Sequence, residues 1–443
     1  MRKGTLILVS GISLLGACKK NDAPDIKPAN VSLQISYAVA NDKLPLSEAV
    51  VKLKNTNTGS DIQLKADASG KVLFTAVPAG SYDVDVSAII DAVTYNAATG
   101  DNVAKPIVFN ASRKNWRIVS GESPMLTLQL VTGVIGPWVI KQVYYAGSHR
   151  QEGAITRDQF IEIYNNSNEV QYADSIYFGR GWGRQEPDSK GYHEQPVTRQ
   201  MDWTKSIGMP ANISANADYV YLRDLYMIPG TGKQYPVRPG ESIVIAQTAL
   251  NHKTPFVDSD GKSVSVKNPA LTVDLSKADF EAYLVEERKK RGDRPAATDL
   301  DNPSVPNLRV LQYAANDMIL DNPGRDSYVI FKMKQGADAM TLPQYAEPLI
   351  APAKEPKLFF QVPISLVIDG VEVQPHIPSD RIPKKLAAAV DAGYTFVPKG
   401  AYTSQSIIRK TVGEENGRRI LKDTNNSSED FDVVDIATPK GFK

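Results

Sequence analysis

The sequence predicts a mainly β protein, two β-sandwich domains in tandem, the second with long loop and helix insertions. Apolar and polar residues alternate with period two in many short runs, and 29 prolines and 30 glycines punctuate those runs, as at Pro239-Gly240. The clearest unit is Asp158 to Phe178. There Ile161 and Ile163 alternate with Phe160, Glu162 and Tyr164, Asn165-Asn166-Ser167-Asn168 supplies turn geometry, and Val170, Tyr172, Ile176 and Phe178 resume the apolar pattern. It reads as a hairpin, expected to share its sandwich with the distant run Val433-Val434-Asp435-Ile436. A chain of 443 residues can bury a core that needs neither disulfide nor metal.

In chain order, residues 1–17 read as a signal peptide: Arg2 and Lys3 open it, Thr5 to Leu15 is mostly apolar, and Leu15-Gly16-Ala17 precedes Cys18. Leu-Gly-Ala-Cys resembles the lipobox of bacterial lipoproteins, which implies acylation of Cys18, the sole cysteine. Residues 18–30, charged and bearing Pro24 and Pro28, read as a flexible tether. The expected localisation is the outer membrane, held by lipid and displayed at the cell surface, because acyl chains anchor without a transmembrane helix. Losing Arg2 and Lys3 takes the formal charge from +1 to −1, which argues against a nucleic-acid partner.

Residues 31–131 alternate through Val31–Ile35, Ala49–Leu53, Val72–Phe74 and Tyr82–Val86, with turns at Asn57-Thr58-Gly59 and Ala68-Ser69-Gly70. Gly70 and Gly80-Ser81-Tyr82-Asp83-Val84 resemble the recurrent turn and final strand of the carboxypeptidase regulatory-like, or prealbumin-like, sandwich. That resemblance implies a spacer or binding platform. Thr132 to Pro137 reads as the domain boundary.

From 138 to 443, FIEIYNNS with YADSIYF, then Pro239 to Ala246, then DTNNSSEDF, resemble successive strands and turns of a lamin-tail domain, an immunoglobulin-like sandwich. Long insertions separate the pieces. A helix is expected from a Ser276 cap to Gly292, with the basic end Arg288-Lys289-Lys290-Arg291, and a second from Pro383 to Gly393. Leu366 to Val373 reads as a hairpin on Asp369-Gly370. The whole arrangement resembles an uncharacterised family of Bacteroidota outer-membrane lipoproteins.

Catalytic and metal signals fail one by one. His193-Glu194 is followed by Pro196 and Val197 where a zinc-protease helix needs a second histidine, no Gly-x-Ser-x-Gly elbow occurs, and acylation consumes the thiol. Asp258-Ser259-Asp260-Gly261 opens like a calcium loop, but its twelfth position is Pro269. Asp423, Asp430, Asp432 and Asp435 would gather round a cation only if the fold bent them together. The expectation is a non-enzyme with no cofactor and no metal.

Recognition is expected in the insertion after Gly179, where Arg180, Trp182, Arg184, Tyr192, His193 and Trp203 cluster without a strand or helix period. Aromatics with arginines compose interface hot spots. They also compose the small core of a loop folded back on a sandwich, and exposure distinguishes the two. Two functions stay open: a lipoprotein binding an extracellular ligand or assisting an outer-membrane transporter, and a structural or adhesive envelope protein without a small ligand.

Overall fold

The computed structural model describes residues 27–38, 43–103, 106–132, 136–188 and 191–443. Cys18, the signal peptide and most of the tether lie outside the described residues. Among them, no helix is long and apolar enough to cross a membrane.

The first domain is built from β1 (Ala29–Tyr37), β2 (Val50–Asn55), β3 (Asp61–Lys65), β4 (Lys71–Val77), β5 (Gly80–Ile90), β6 (Ile107–Ile118) and β7 (Met125–Thr132). β3-β2-β5-β6 and β7-β1-β4 form two layers joined where β6 meets β7 at Phe109–Thr132 and Asn110–Val131. β1 starts at Ala29, inside the stretch read as tether, because Ala29 is buried and pairs with Val77. Val31, Leu33, Ile35, Val51, Leu53, Phe74, Val84 and Val86 fill the interior from alternate positions. Each such side chain contributes about 1.5–3 kcal/mol on burial. At Gly70, φ is +78° and a Cβ would stand 2.2 Å from the Ile35 carbonyl oxygen, so only glycine fits the turn.

The second domain is also a sandwich. One sheet orders Phe280–Glu281, Ser242–Ala246, Phe160–Asn165, Trp138–Tyr144, Ser406–Arg409 and Phe431–Val434. The other orders Gln344–Ala346, Leu358–Pro363, Tyr219–Met227, Tyr177–Gly181, Ser327–Phe331 and Val367–Glu372, with Arg309–Gln312 also on Tyr219–Met227. Trp138, Ile140, Ile161 and Ile163 meet Phe178, Tyr226, Tyr328 and Ile330 between them. Both outer faces are covered too. Val273, Leu275 and Val305 lie on one, while Ala339, Leu386 and Val390 lie on the other.

The C-terminal strand shares a sheet with Phe160–Asn165, but Asp158 to Phe178 is not a hairpin: its two strands belong to facing sheets. The Asn165 side chain explains the crossing. It donates to the Glu169 and Val237 carbonyls and accepts from Ser167, holding an arch in place of a tight turn.

Three further expectations change. Ser276 bonds Asp274, Phe280–Glu281 pairs in parallel with Ile245–Ala246, and the helix shrinks to Val285–Lys290. Residues 383–393 form turns instead of a helix, since the Glu372 carboxylate takes the N–H groups of Lys385 and Leu386. Val367–Glu372 runs straight through Asp369-Gly370 as one strand. Gly370 serves packing, because a Cβ there would lie 2.6 Å from Val390 Cγ1.

Candidate ligand-binding cleft

The insertion aromatics build a local core. Trp203 is buried and stacks on Tyr221 with centroids 3.6 Å apart and planes 5° apart. Trp182 is half-buried, stacks on Phe359 at 5.2 Å and donates its indole N–H to Glu347 at 3.0 Å. Tyr192 packs against the same cluster, whereas His193 is exposed and its backbone is held by Pro348 and Asp202. Arg180 is far from solvent: it pairs with Asp224 at 2.6 Å and Asp326 at 3.4 Å inside the sandwich. Arg184, 1% exposed, pairs with Glu194 at 2.7 Å and donates to the carbonyls of Arg199, Glu186 and Pro187. Its Nε is buried without a hydrogen-bond partner among the described residues.

Arg184 leads to a feature that no sequence motif marks. It lines a cleft of about 550 Å³ between the domains, walled by Ser112–Asn115 of β6 on one side and, on the other, by Arg184, Pro187, Asp188, residues 195–200 and residues 381–388. The walls are tied across the domain junction. Tyr394 donates its hydroxyl to Asp83 at 2.5 Å, Arg113 donates to the Val197 carbonyl at 2.6 Å, and Asn110 donates to the Thr424 carbonyl at 2.5 Å. Lys52 and Glu429 pair at 3.1 Å farther along the junction.

Cations dominate the lining: Arg113, Lys114, Arg184, Arg199, Arg381 and Lys384, against Asp188. Glu194 serves Arg184 and Arg199, and Asp85 serves Lys114 at 2.6 Å. Arg113, Arg381 and Lys384 have no carboxylate within ion-pair distance among the described residues. Arg381 donates to the Pro375 carbonyl and to the Tyr394 hydroxyl, and Lys384 to the Asp391 and Gly393 carbonyls. Burial pulls the Lys384 ammonium pKa below its ordinary value, and the charge on Lys114 pulls the same way, against Asp391 and Glu372. Burial also lowers Arg113. For Lys114, burial opposes the charge, but Asp85 and Asp83 outweigh it and raise the pKa. Lys114 and Arg381 stand 5.2 and 5.1 Å from the centroid of one ring, Tyr394.

Two other places show by contrast what a satisfied charge looks like. A cavity of about 560 Å³ holds Lys141, but its ammonium lies 2.8 Å from Glu162 and 3.6 Å beneath the Phe442 ring. Asp423 and Asp430 do converge on a cation, the Arg409 guanidinium, together with Asp369. Asp432 pairs instead with Lys443, and Asp435 with Lys399. Asp258 accepts from the backbone of Asp260 and Lys262 within a polar turn. Among the described residues no three His, Cys, Asp or Glu side chains come together to hold a metal ion.

A family model described as a protein of unknown function, DUF4876, matches residues 238–438, less than half of the chain. Among solved structures, the chain is similar to a DUF4876 family protein from Bacteroides thetaiotaomicron, at 25% identity over 91% of this chain and 95% of that one, with a TM-score of 0.49. It is more weakly similar to a putative carbohydrate binding protein from Bacteroides uniformis: 11% identity, 50% of this chain, 99% of that one, TM-score 0.16. The tip fimbrial protein Mfa3 from Porphyromonas gingivalis gives 11% identity, 48% and 82% coverage, and a TM-score of 0.15. No curated protein matches.

Proposed function

We propose that this chain is a non-enzymatic binding lipoprotein of the outer membrane, anchored through Cys18 and displayed at the cell surface, where it holds a ligand at the cleft between its domains and assists a transporter. One observation carries the reading: a cleft of about 550 Å³, within the size range of small-molecule sites, whose lining includes three cations, Arg113, Arg381 and Lys384, that meet no carboxylate within ion-pair distance among the described residues. A purely structural module gains nothing from leaving such charges at a domain junction, since like charges brought together oppose the packing. The lipobox, the sole cysteine and the charged stretch after it support the anchor.

Native mass spectrometry of the chain extracted from its own membranes tests the reading. The wild type is expected to carry a bound mass that Arg113→Glu loses. A bare wild-type chain, or equal retention by the substituted one, would favour the structural or adhesive alternative.

A further inference from the structure

We infer that the cleft takes a small organic anion carrying at least two carboxylate, sulfate or phosphate groups, gripped from one domain by Arg113 and Lys114 and from the other by Arg381 and Lys384. The inference rests on the cleft being the ligand site and adds the chemistry of the ligand.

The first argument is unspent donors. A guanidinium offers five N–H groups in a fixed fork. Among the described residues, Arg113 commits a single side-chain hydrogen bond and Arg381 two, to Pro375 and Tyr394. Buried Arg184 Nε has no partner at all. At an open cleft water can occupy such N–H groups, and the oxygens of an anionic ligand can replace that water with charge-assisted hydrogen bonds.

The second argument is the arrangement of charge. Lys114 and Arg381 flank the Tyr394 ring from opposite domains, and Lys384 lies close enough to Lys114 to feel its charge. With cations on both walls, a ligand carrying two anionic groups can engage both domains at once, and a forked guanidinium binds carboxylate, sulfate or phosphate oxygens two at a time. Ile382, Pro383, Leu386 and Ala387 line the same space, which suits an organic body between the charged ends. A cleft of about 550 Å³ is within the size range of sites for small organic molecules.

Titration calorimetry on the full chain, followed by hydrogen exchange, separates the outcomes. The probes are digalacturonate, inorganic pyrophosphate, lactose as a neutral disaccharide, and phosphatidylglycerol vesicles. Digalacturonate and pyrophosphate are expected to bind, more weakly as salt rises, and to protect β6 and residues 381–388. Arg113→Gln and Arg381→Gln should each weaken digalacturonate about tenfold or more, with Arg381→Lys in between because it keeps charge and loses the fork. Arg238→Ala, on the exposed Arg238-Pro239 turn, should bind like the wild type. Melting curves check that each variant is folded. Equal binding of lactose, with protection at the cleft, would overturn the anion while leaving the cleft as the site. Binding to the vesicles alone would overturn the two-group requirement. Protection elsewhere, or none with any probe, would overturn both the ligand class and the site.

Discussion

Arg409 and Arg113 are the same residue in opposite circumstances. Arg409 lies inside the second sandwich, where Asp369 meets it at 2.6 Å, Asp423 at 3.3 Å and Asp430 at 3.4 Å, and its Nε donates to the Ile140 carbonyl at 3.0 Å. Arg113 stands at the cleft with one backbone carbonyl and, among the described residues, no carboxylate within ion-pair distance. A charge that must survive burial is surrounded by opposite charge, and one left short of partners sits where something else can approach. The contrast identifies the cleft without any motif.

Removing the Arg409 charge should have the largest effect. Arg409→Gln leaves three buried carboxylates without their cation, and breaking such a cluster by one member costs about 3–5 kcal/mol. Urea denaturation measures it; a cost below about 1 kcal/mol would mean that the buried arginine is no better bound than the cleft arginines. Trp203→Ala comes next, at about 3 kcal/mol, because it empties a stacked, buried site. His193→Ala, exposed nearby, should stay within about 0.5 kcal/mol. Equal costs for these two would mean that the Trp203–Tyr221 stack contributes nothing to stability.

A third region sharpens the comparison from the opposite side, with buried carboxylates that form no ion pair among the described residues. Asp299 and Asp317 are both pushed above the ordinary carboxylate range, chiefly by burial, and for Asp299 next by the charge of Asp317; burial raises Glu281 to about 7. These groups bind more protons folded than unfolded. Stability therefore falls as pH rises from the unfolded carboxylate value near 4 toward and through the raised folded values. Asp299→Asn should melt above the wild type at about pH 8, worth about 1–2 kcal/mol, and lose that advantage at about pH 5. A pH-independent difference would show that the ionisation of Asp299 is not the cause.

Much of the fold could be read from alternation and turns. β1, β2, β4 and β5 lie where apolar and polar residues alternate, and the strands at Trp138 and Ser242 lie on short apolar runs that follow Gly-Pro and Pro-Gly turns. The readings that changed did so where tertiary contacts outrank local preference. Gly370 looks like a turn residue but answers to Val390, and Leu386 and Val390 have helical spacing while Glu372 takes the N–H groups that a helix needs. Arg180, Arg184 and Trp203 were visible as a cluster, but not that Asp224, Glu194 and Tyr221 were waiting for them. The cleft was illegible because its walls come from three stretches of sequence, at 112–115, within 184–200 and at 381–388, that only the fold brings together. Only the excess of arginine in 180–199 hinted at it, and Arg113 and Arg381 carried no local signal.

The smallest expected effect completes the comparison. Arg113→Gln removes a charge that no carboxylate meets and leaves no buried anion behind, so the desolvation penalty that makes Arg409 costly to lose does not arise. What disappears is one hydrogen bond to the Val197 carbonyl, worth about 0.5–1.5 kcal/mol at most, and a glutamine amide can replace part of it. Some repulsion from the neighbouring Lys114 disappears as well, which offsets the loss. The net change in unfolding free energy from urea denaturation should therefore fall within about 0.5 kcal/mol, far below that of Arg409→Gln. A loss as large as that of Arg409→Gln would mean that Arg113 holds the domains together and that its charge is structural, removing the physical distinction on which the cleft was chosen.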